Sequence, residues 1–326
     1  MQTDRILRGV ALMLGFCVTA PLIDVASKLA AQTIPVGQVT TARFVVQGAL
    51  MLVPMLLLRL PLTYDPRLAG QVILRAILLI LSTFSFVSAI AVMPVADALA
   101  IAFVEPFILL ILGRLLFGDA VGPRRIAASA VGFAGALLVI QPSLATFGLV
   151  ALWPLGTAVT FAGYMLMTRG LSARMAPVPM QFHTSVAAIA LCLPLMWWAD
   201  GTGWTALDPI WPQGWAWVWL AGVGAASAVA HFLMTLALRS APSATLAPLH
   251  YLEIVSAVGL GYLVFGDFPN LLTWAGIAVI CASGLYIIHR ERIVARGGGV
   301  TLPAAPLEAG PFAAAEETGP AASAPR

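Results

Sequence analysis

Two glutamates, Glu105 and Glu253, stand in the middle of long apolar runs in a chain that is 60% hydrophobic and only 10% charged. A charge at the bilayer centre costs at least about 2.5–3.5 kcal/mol on insertion scales, so an ionisable side chain kept there is a candidate for function. A carboxylate in such surroundings can exchange a proton or meet a cationic group of a solute. His250 lies three residues before Glu253, on the same helical face, and can share a proton with it. Pro106 beside Glu105 predicts local unwinding that frees backbone carbonyls for a solute. Glu253 is therefore the expected proton site and Glu105 the expected solute site, with a structural brace as the rival reading of both.

Three further charges fall within apolar runs. Asp24 and Lys28 are four apart and share one helical face, while Arg43 enters the next run about as deep as Asp24 does. They read either as a salt-bridged structural unit, with Lys28 reaching outward, or as a coupled gate and solute anchor. Anchors of both signs, with Tyr251 and the aromatics Phe84, Phe103 and Tyr164 expected near a cavity, would suit a zwitterionic or partly aromatic metabolite. His183 and His231 sit nearer the ends of their runs and read as polar fillers. No catalytic residue, metal site or cofactor is expected: zinc-protease, serine-hydrolase and phosphate-loop patterns are all missing from the sequence. Cys17, Cys192 and Cys281 lie in apolar stretches without a paired spacing, as small core- or lipid-facing residues.

The elements that must position these groups are membrane spans. A soluble domain carries roughly 25% charged residues, and each span needs about 20 apolar ones. Hydropathy predicts helices near 7–30, 38–58, 73–92, 96–116, 125–141, 147–168, 180–199, 213–237, 243–264 and 271–289. The formal charge of +3 does not point to nucleic acid, because the basic residues are spread along the chain. Of the 17 Lys and Arg residues, Lys28 and Arg43 sit inside spans; with a cytoplasmic N-terminus all the others, Arg75 included, fall on the cytoplasmic side. Trp197, Trp198, Trp204, Trp211, Trp215 and Trp217 cluster between the seventh and eighth spans, as an interfacial belt of indoles. From 295 to 326 the chain is rich in Gly, Pro and Ala and reads as a disordered cytoplasmic tail.

The chain also repeats itself. A shift of 148 residues lays Phe117-Gly118-Asp119 on Phe265-Gly266-Asp267, Glu105 on Glu253 and Pro94 on Pro242, with 7 of 15 positions identical from Glu105 to Asp119. The motif itself reads as a turn, with Asp267 capping the helix that follows Pro269. Five spans per half make the second half inverted in the membrane, the architecture of many secondary transporters. The expected fold is all-α and integral to the membrane: ten transmembrane helices as two inverted five-helix repeats, 1–142 and 146–290. Ala128, Gly132 and Ala136 form a small-residue stripe for close helix packing, within one chain or in a homodimer.

Asp24-Val25-Ala26-Ser27-Lys28, Ala42-Arg43-Phe44, Glu105-Pro106-Phe107, Tyr251-Leu252-Glu253-Ile254 and Phe265-Gly266-Asp267-Phe268-Pro269 resemble the EamA-type branch of the drug/metabolite transporter superfamily of bacteria, over residues 7–290. The first and fourth of these segments look like those of S-adenosylmethionine uptake carriers, and the first also resembles riboflavin carriers, although His250 stands where an Arg is expected in the former. The resemblance implies alternating access in a bacterial inner membrane, around a cavity lined by the first, third, fourth, sixth, eighth and ninth spans. A proton-coupled carrier of a small organic metabolite is the leading reading. A proton-independent exchanger is the alternative, and a channel or intramembrane enzyme the alternative of another class. Reporter fusions at Arg8, Trp204 and Arg296 are expected to read inside, outside and inside; an external signal from the first or third would refute this topology.

Overall fold

The computed structural model describes residues 2–61, 65–93, 95–119, 121–140, 148–265 and 271–296. Expectations for Pro94, for Gly266, Asp267 and Pro269, and for the tail from 297 onward lie outside the described residues.

A chain this apolar satisfies its backbone in lipid by closing hydrogen bonds within each segment, and the described residues are helical almost throughout. The helices are α1 (Gln2–Ala31), α2 (Val36–Leu57), α3 (Ala69–Ile90), α4 (Val95–Ala102), α5 (Glu105–Phe117), α6 (Pro123–Ile140), α7 (Leu152–Leu171), α8 (Pro177–Ala199), α9 (Ala216–Ser240), α10 (Ser243–His250), α11 (Glu253–Phe265) and α12 (Leu271–Arg296). Pro123 and Pro177 open their helices, where a missing N–H costs nothing. Gly118 ends α5 with φ 65, a left-handed cap that a side chain would strain. Seven of the described helical segments are long and apolar enough to cross a membrane, and two shorter apolar ones lie at Ile126–Leu138 and Trp274–Tyr286.

The span expected at 96–116 is two short helices, α4 and α5, and that expected at 243–264 is α10 and α11. These two pairs have the same boundaries when shifted by 148 residues, so the backbone breaks where the sequence repeats. The small-residue stripe packs within the chain. A Cβ on Gly132 would meet the Tyr251 ring at 2.6 Å, one on Gly135 would meet Ile280 at 2.8 Å, and Ser283 donates to the Ala128 carbonyl at 2.8 Å. The tryptophans between α8 and α9 are exposed, Trp197 and Trp211 to 83% and 80%, as an interfacial belt requires.

Arg75 departs from its expected place at the cytoplasmic side. It lies two turns into α3 and is fully buried, its guanidinium held by the hydroxyls of Thr168, Thr184 and Tyr164. Hydropathy averaging placed the start of this span too late, because a hydrogen-bonded guanidinium inside a bundle looks the same in sequence as one in a loop.

The end of the bundle that carries Gln2 and Arg296 is closed by an ion pair. Both oxygens of Asp119, just beyond α5, accept from Arg169 of α7, at 2.5 and 2.7 Å, and one also accepts from Ser243 at the start of α10 at 2.8 Å. The Arg169 guanidinium lies 4.5 Å from the Phe117 ring centroid. Removing one member leaves a largely buried charge unpaired, which costs more than removing both. Arg169→Gln is expected to destabilise the protein by on the order of 3 kcal/mol, and Asp119→Asn with Arg169→Gln by clearly less. Thermal unfolding in detergent reads both; equal losses would refute the coupling.

Candidate functional site

The two helix breaks place the ionisable groups. Pro106 has no N–H to continue α4 into α5, so the chain reopens at Phe103 and Val104 and α5 starts anew at Glu105. In the second break, Tyr251 and Leu252 separate α10 from α11, leaving His250 as the last residue of one helix and Glu253 as the first of the next. Helix N-termini favour carboxylates and C-termini favour cations. Both glutamates and the histidine therefore sit where the local backbone field suits the charge each can carry. The freed carbonyls find donors: Tyr251 Oη donates to Phe103 at 3.1 Å, and the Cys17 thiol donates to Leu249 at 3.4 Å.

One imidazole joins the two glutamates. His250 Nδ1 lies 2.7 Å from Glu105 Oε2, and its Nε2 lies 2.9 Å from Glu253 Oε2, with all three residues buried. Each contact needs a proton between nitrogen and oxygen, whereas a neutral imidazole carries only one N–H. The three groups together thus hold one proton more than a neutral histidine with two carboxylates. They carry a single negative charge wherever that proton resides.

A second cation is held across the same cavity. Arg43 of α2 donates to Thr83 of α3 and to Nε2 of His231 of α9, the latter at 2.5 Å. Thr83 and His231 stand 148 residues apart, as Glu105 and Glu253 do. Arg43 and His250 are therefore each gripped by a pair of residues at corresponding positions of the repeat. The cavity is lined by Arg43, Asp24, Glu105, Glu253, His231 and His250, with Phe16, Phe86, Phe103 and Phe161 as apolar walls. It runs from the middle of the bundle towards the end away from the termini, past Ser27, Val87 and Thr157. Two buried polar atoms on its wall residues have no hydrogen-bond partner among the described residues: Glu105 Oε1, an acceptor, and Arg43 Nε, a donor.

The cavity brings together five of the residues singled out from sequence: Asp24, Arg43, Glu105, His250 and Glu253. Tyr251 does not line it; its ring packs on Gly132 and its hydroxyl ties one helix break to the other. Lys28, one turn beyond Asp24, is not on the cavity wall. Of the expected cavity aromatics, Phe103 lines the wall, Phe84 packs on Trp153 at 5.9 Å, and Tyr164 lies behind the wall against His231. His231, expected as a polar filler near a span end, lines the wall: α9 extends to Ser240, which puts it well inside the bundle. The signal that could have found it is its register with Thr83 in the repeat.

Comparison with known proteins agrees with this architecture. The EamA-like transporter family matches residues 7–141 and again 148–289. A riboflavin transporter of Rhizobium johnstonii is 30% identical over 67% of this chain and 69% of its own. An S-adenosylmethionine uptake transporter of Rickettsia felis is 24% identical over 68% and 72%, and a pseudopaline exporter of Pseudomonas aeruginosa is 26% identical over 86% and 97%. A solved crystal structure with 20% identity superposes with a TM-score of 0.66 over 92% of this chain and all of its own, which shows a shared fold.

His250 is the shared partner of two buried carboxylates, so its removal should be worse than removal of the whole triad. His250→Ala is expected to cost about 3–5 kcal/mol, and the triple variant with Glu105→Gln and Glu253→Gln less than half of that. Thermal unfolding of the purified variants decides it; a triple variant at least as unstable as the single one would refute the shared-partner geometry.

Proposed function

Because the chain belongs to the EamA-like transporter family, and the relatives named above are transporters of small metabolites and not enzymes, we propose that it moves a small organic solute by alternating access about the cavity of Glu105, His250, Glu253 and Arg43. The proposed architecture is ten spans in two inverted five-helix repeats, 1–142 and 146–290, in a bacterial inner membrane with both termini cytoplasmic. The duplicated family match and the equal boundaries of the two broken helices support it.

The observation that carries the reading is the one imidazole that bridges Glu105 and Glu253, beside a carboxylate oxygen with no hydrogen-bond partner among the described residues. A solute with an N–H or cationic group would meet Glu105 Oε1, and an oxygen acceptor on the same solute would meet Arg43 Nε. The phenylalanine walls suit a flat or partly aromatic body between them. That is the chemistry of a zwitterion or of a heterocycle with adjacent donors and acceptors. Riboflavin and S-adenosylmethionine, named for two of the relatives, both belong to this class and head the candidates.

The geometry supports proton coupling. When a solute's positive group engages Glu105 Oε1, its charge offsets that of the carboxylate, so the triad needs its extra proton less and can release it or pass it towards Glu253. Glu253 is the proposed proton site and Glu105 the proposed solute site. An untargeted comparison of metabolite uptake by cells with and without the protein, with riboflavin and S-adenosylmethionine as named probes, identifies the solute. In liposomes Glu253→Gln is expected to keep counterflow and to lose pH-gradient-driven accumulation, while Glu105→Gln loses both. Full pH-driven accumulation by Glu253→Gln would sink the proton role, and linear, non-saturating flux would point to a channel.

A further inference from the structure

We propose that Arg75 is a positioning residue for solute binding: acting through Tyr164, it fixes the proton of His231 on Nδ1 and so leaves Nε2 to hold Arg43 at the cavity wall. The proposal rests on the reading above that Arg43 meets the solute.

The hydrogen-bond directions force most of it. A guanidinium only donates, so where Arg43 Nη2 meets His231 Nε2, that nitrogen must be the acceptor. His231 is then neutral, because an imidazolium would set an N–H against an N–H. Its one proton is on Nδ1, 2.9 Å from Tyr164 Oη, and is donated to that oxygen. Arg75 Nη2 also donates to Tyr164 Oη, at 2.8 Å, and so pins that oxygen beside His231 Nδ1, with one acceptor site taken and the other left for the imidazole N–H. The remaining guanidinium nitrogens of Arg75 are held by Thr168 at 2.8 Å and by Thr184, so the group has no freedom to turn away.

Arg75 is fully buried, and its hydrogen bonds among the described residues go to three hydroxyls and to no carboxylate. A structural role would be served more cheaply by an apolar side chain, since a buried guanidinium loses its hydration. Its effect on the site is specific. The groups facing His231 are Arg43 from α2, Tyr164 from α7 with Arg75 of α3 behind it, and the rings of Phe16 from α1 and Phe161 from α7. Asp24, Glu105, Glu253 and His250 share the cavity beyond them. Arg43 at Nε2 leaves the imidazole its one proton on Nδ1, and the Tyr164 oxygen that Arg75 holds in place receives it.

The test reads the tautomer directly. Protein labelled with ¹⁵N-histidine and reconstituted in lipid gives ring-nitrogen resonances for His183, His231, His250 and His289, and His231→Gln assigns the signal that disappears. Wild type is expected to show His231 as the Nδ1–H tautomer alone. Tyr164→Phe keeps the ring but removes the acceptor, and Arg75→Met removes its donors; each should shift His231 towards the Nε2–H form or the imidazolium. A wild-type signal from Nε2–H, or an unchanged signal in both variants, overturns the relay. These outcomes do not depend on any solute being carried.

The second arm uses whichever metabolite the uptake comparison enriches. Tyr164→Phe should raise its half-saturation concentration about tenfold, the loss of one charge-assisted hydrogen bond. Adding His231→Gln should restore much of this, because an amide oxygen accepts from Arg43 whatever Tyr164 does. Equal impairment of the single and double variants would make Tyr164 a packing residue and overturn the proposal. Wild-type affinity in Arg43→Gln would overturn the solute reading of Arg43 as well, which separates the two failures.

Discussion

The whole cavity depends on one constraint: charge placed in the middle of an apolar bundle must be shared, because no single group there has water to solvate it. His250 satisfies two carboxylates with one ring, and the three groups settle at a single negative charge. Arg43 on the facing wall offsets that charge and is itself held by a hydroxyl and a neutral imidazole. Neither half of the chain could build this alone. The two carboxylates come from corresponding helices, α5 and α11, and the ring that joins them comes from the end of α10.

The broken helices follow from the same need. A continuous helix across the centre would present only side chains to the cavity, with no helix ends. Breaking it at Phe103–Val104 and at Tyr251–Leu252 brings two N-termini to the centre, where their dipoles support Glu105 and Glu253. The cost is a set of freed carbonyls, met locally by Tyr251 Oη on Phe103 and the Cys17 thiol on Leu249. Close packing completes the arrangement, with the Tyr251 ring set against Gly132 where a Cβ would clash.

The two ends of the bundle are not alike. At the end bearing the termini, Asp119, Arg169 and Ser243 are tied together by charge-assisted hydrogen bonds. A shift of 148 residues places Pro21 opposite Arg169 and Val95 opposite Ser243, so the sequence does not repeat this cluster. The cavity extends towards the other end. Near-symmetry in the backbone thus coexists with asymmetry in the side chains that close it.

The sequence by itself determined the membrane-spanning helical class, the repeat and five of the six ionisable residues of the cavity wall. These are legible because lipid imposes continuous apolar runs, duplication leaves a fixed offset, and a charge in such a run stands out. Only the tertiary structure decided the partnerships. That one imidazole serves both Glu105 and Glu253 depends on residues of α5 and α10 meeting that stand 145 positions apart in the chain. That Arg75 lies inside the bundle, and His231 at its centre between two guanidiniums, depends on which helix faces turn inward. Hydropathy measures how apolar a segment is; it carries no record of which hydroxyl or ring on another helix stands ready to share a charge.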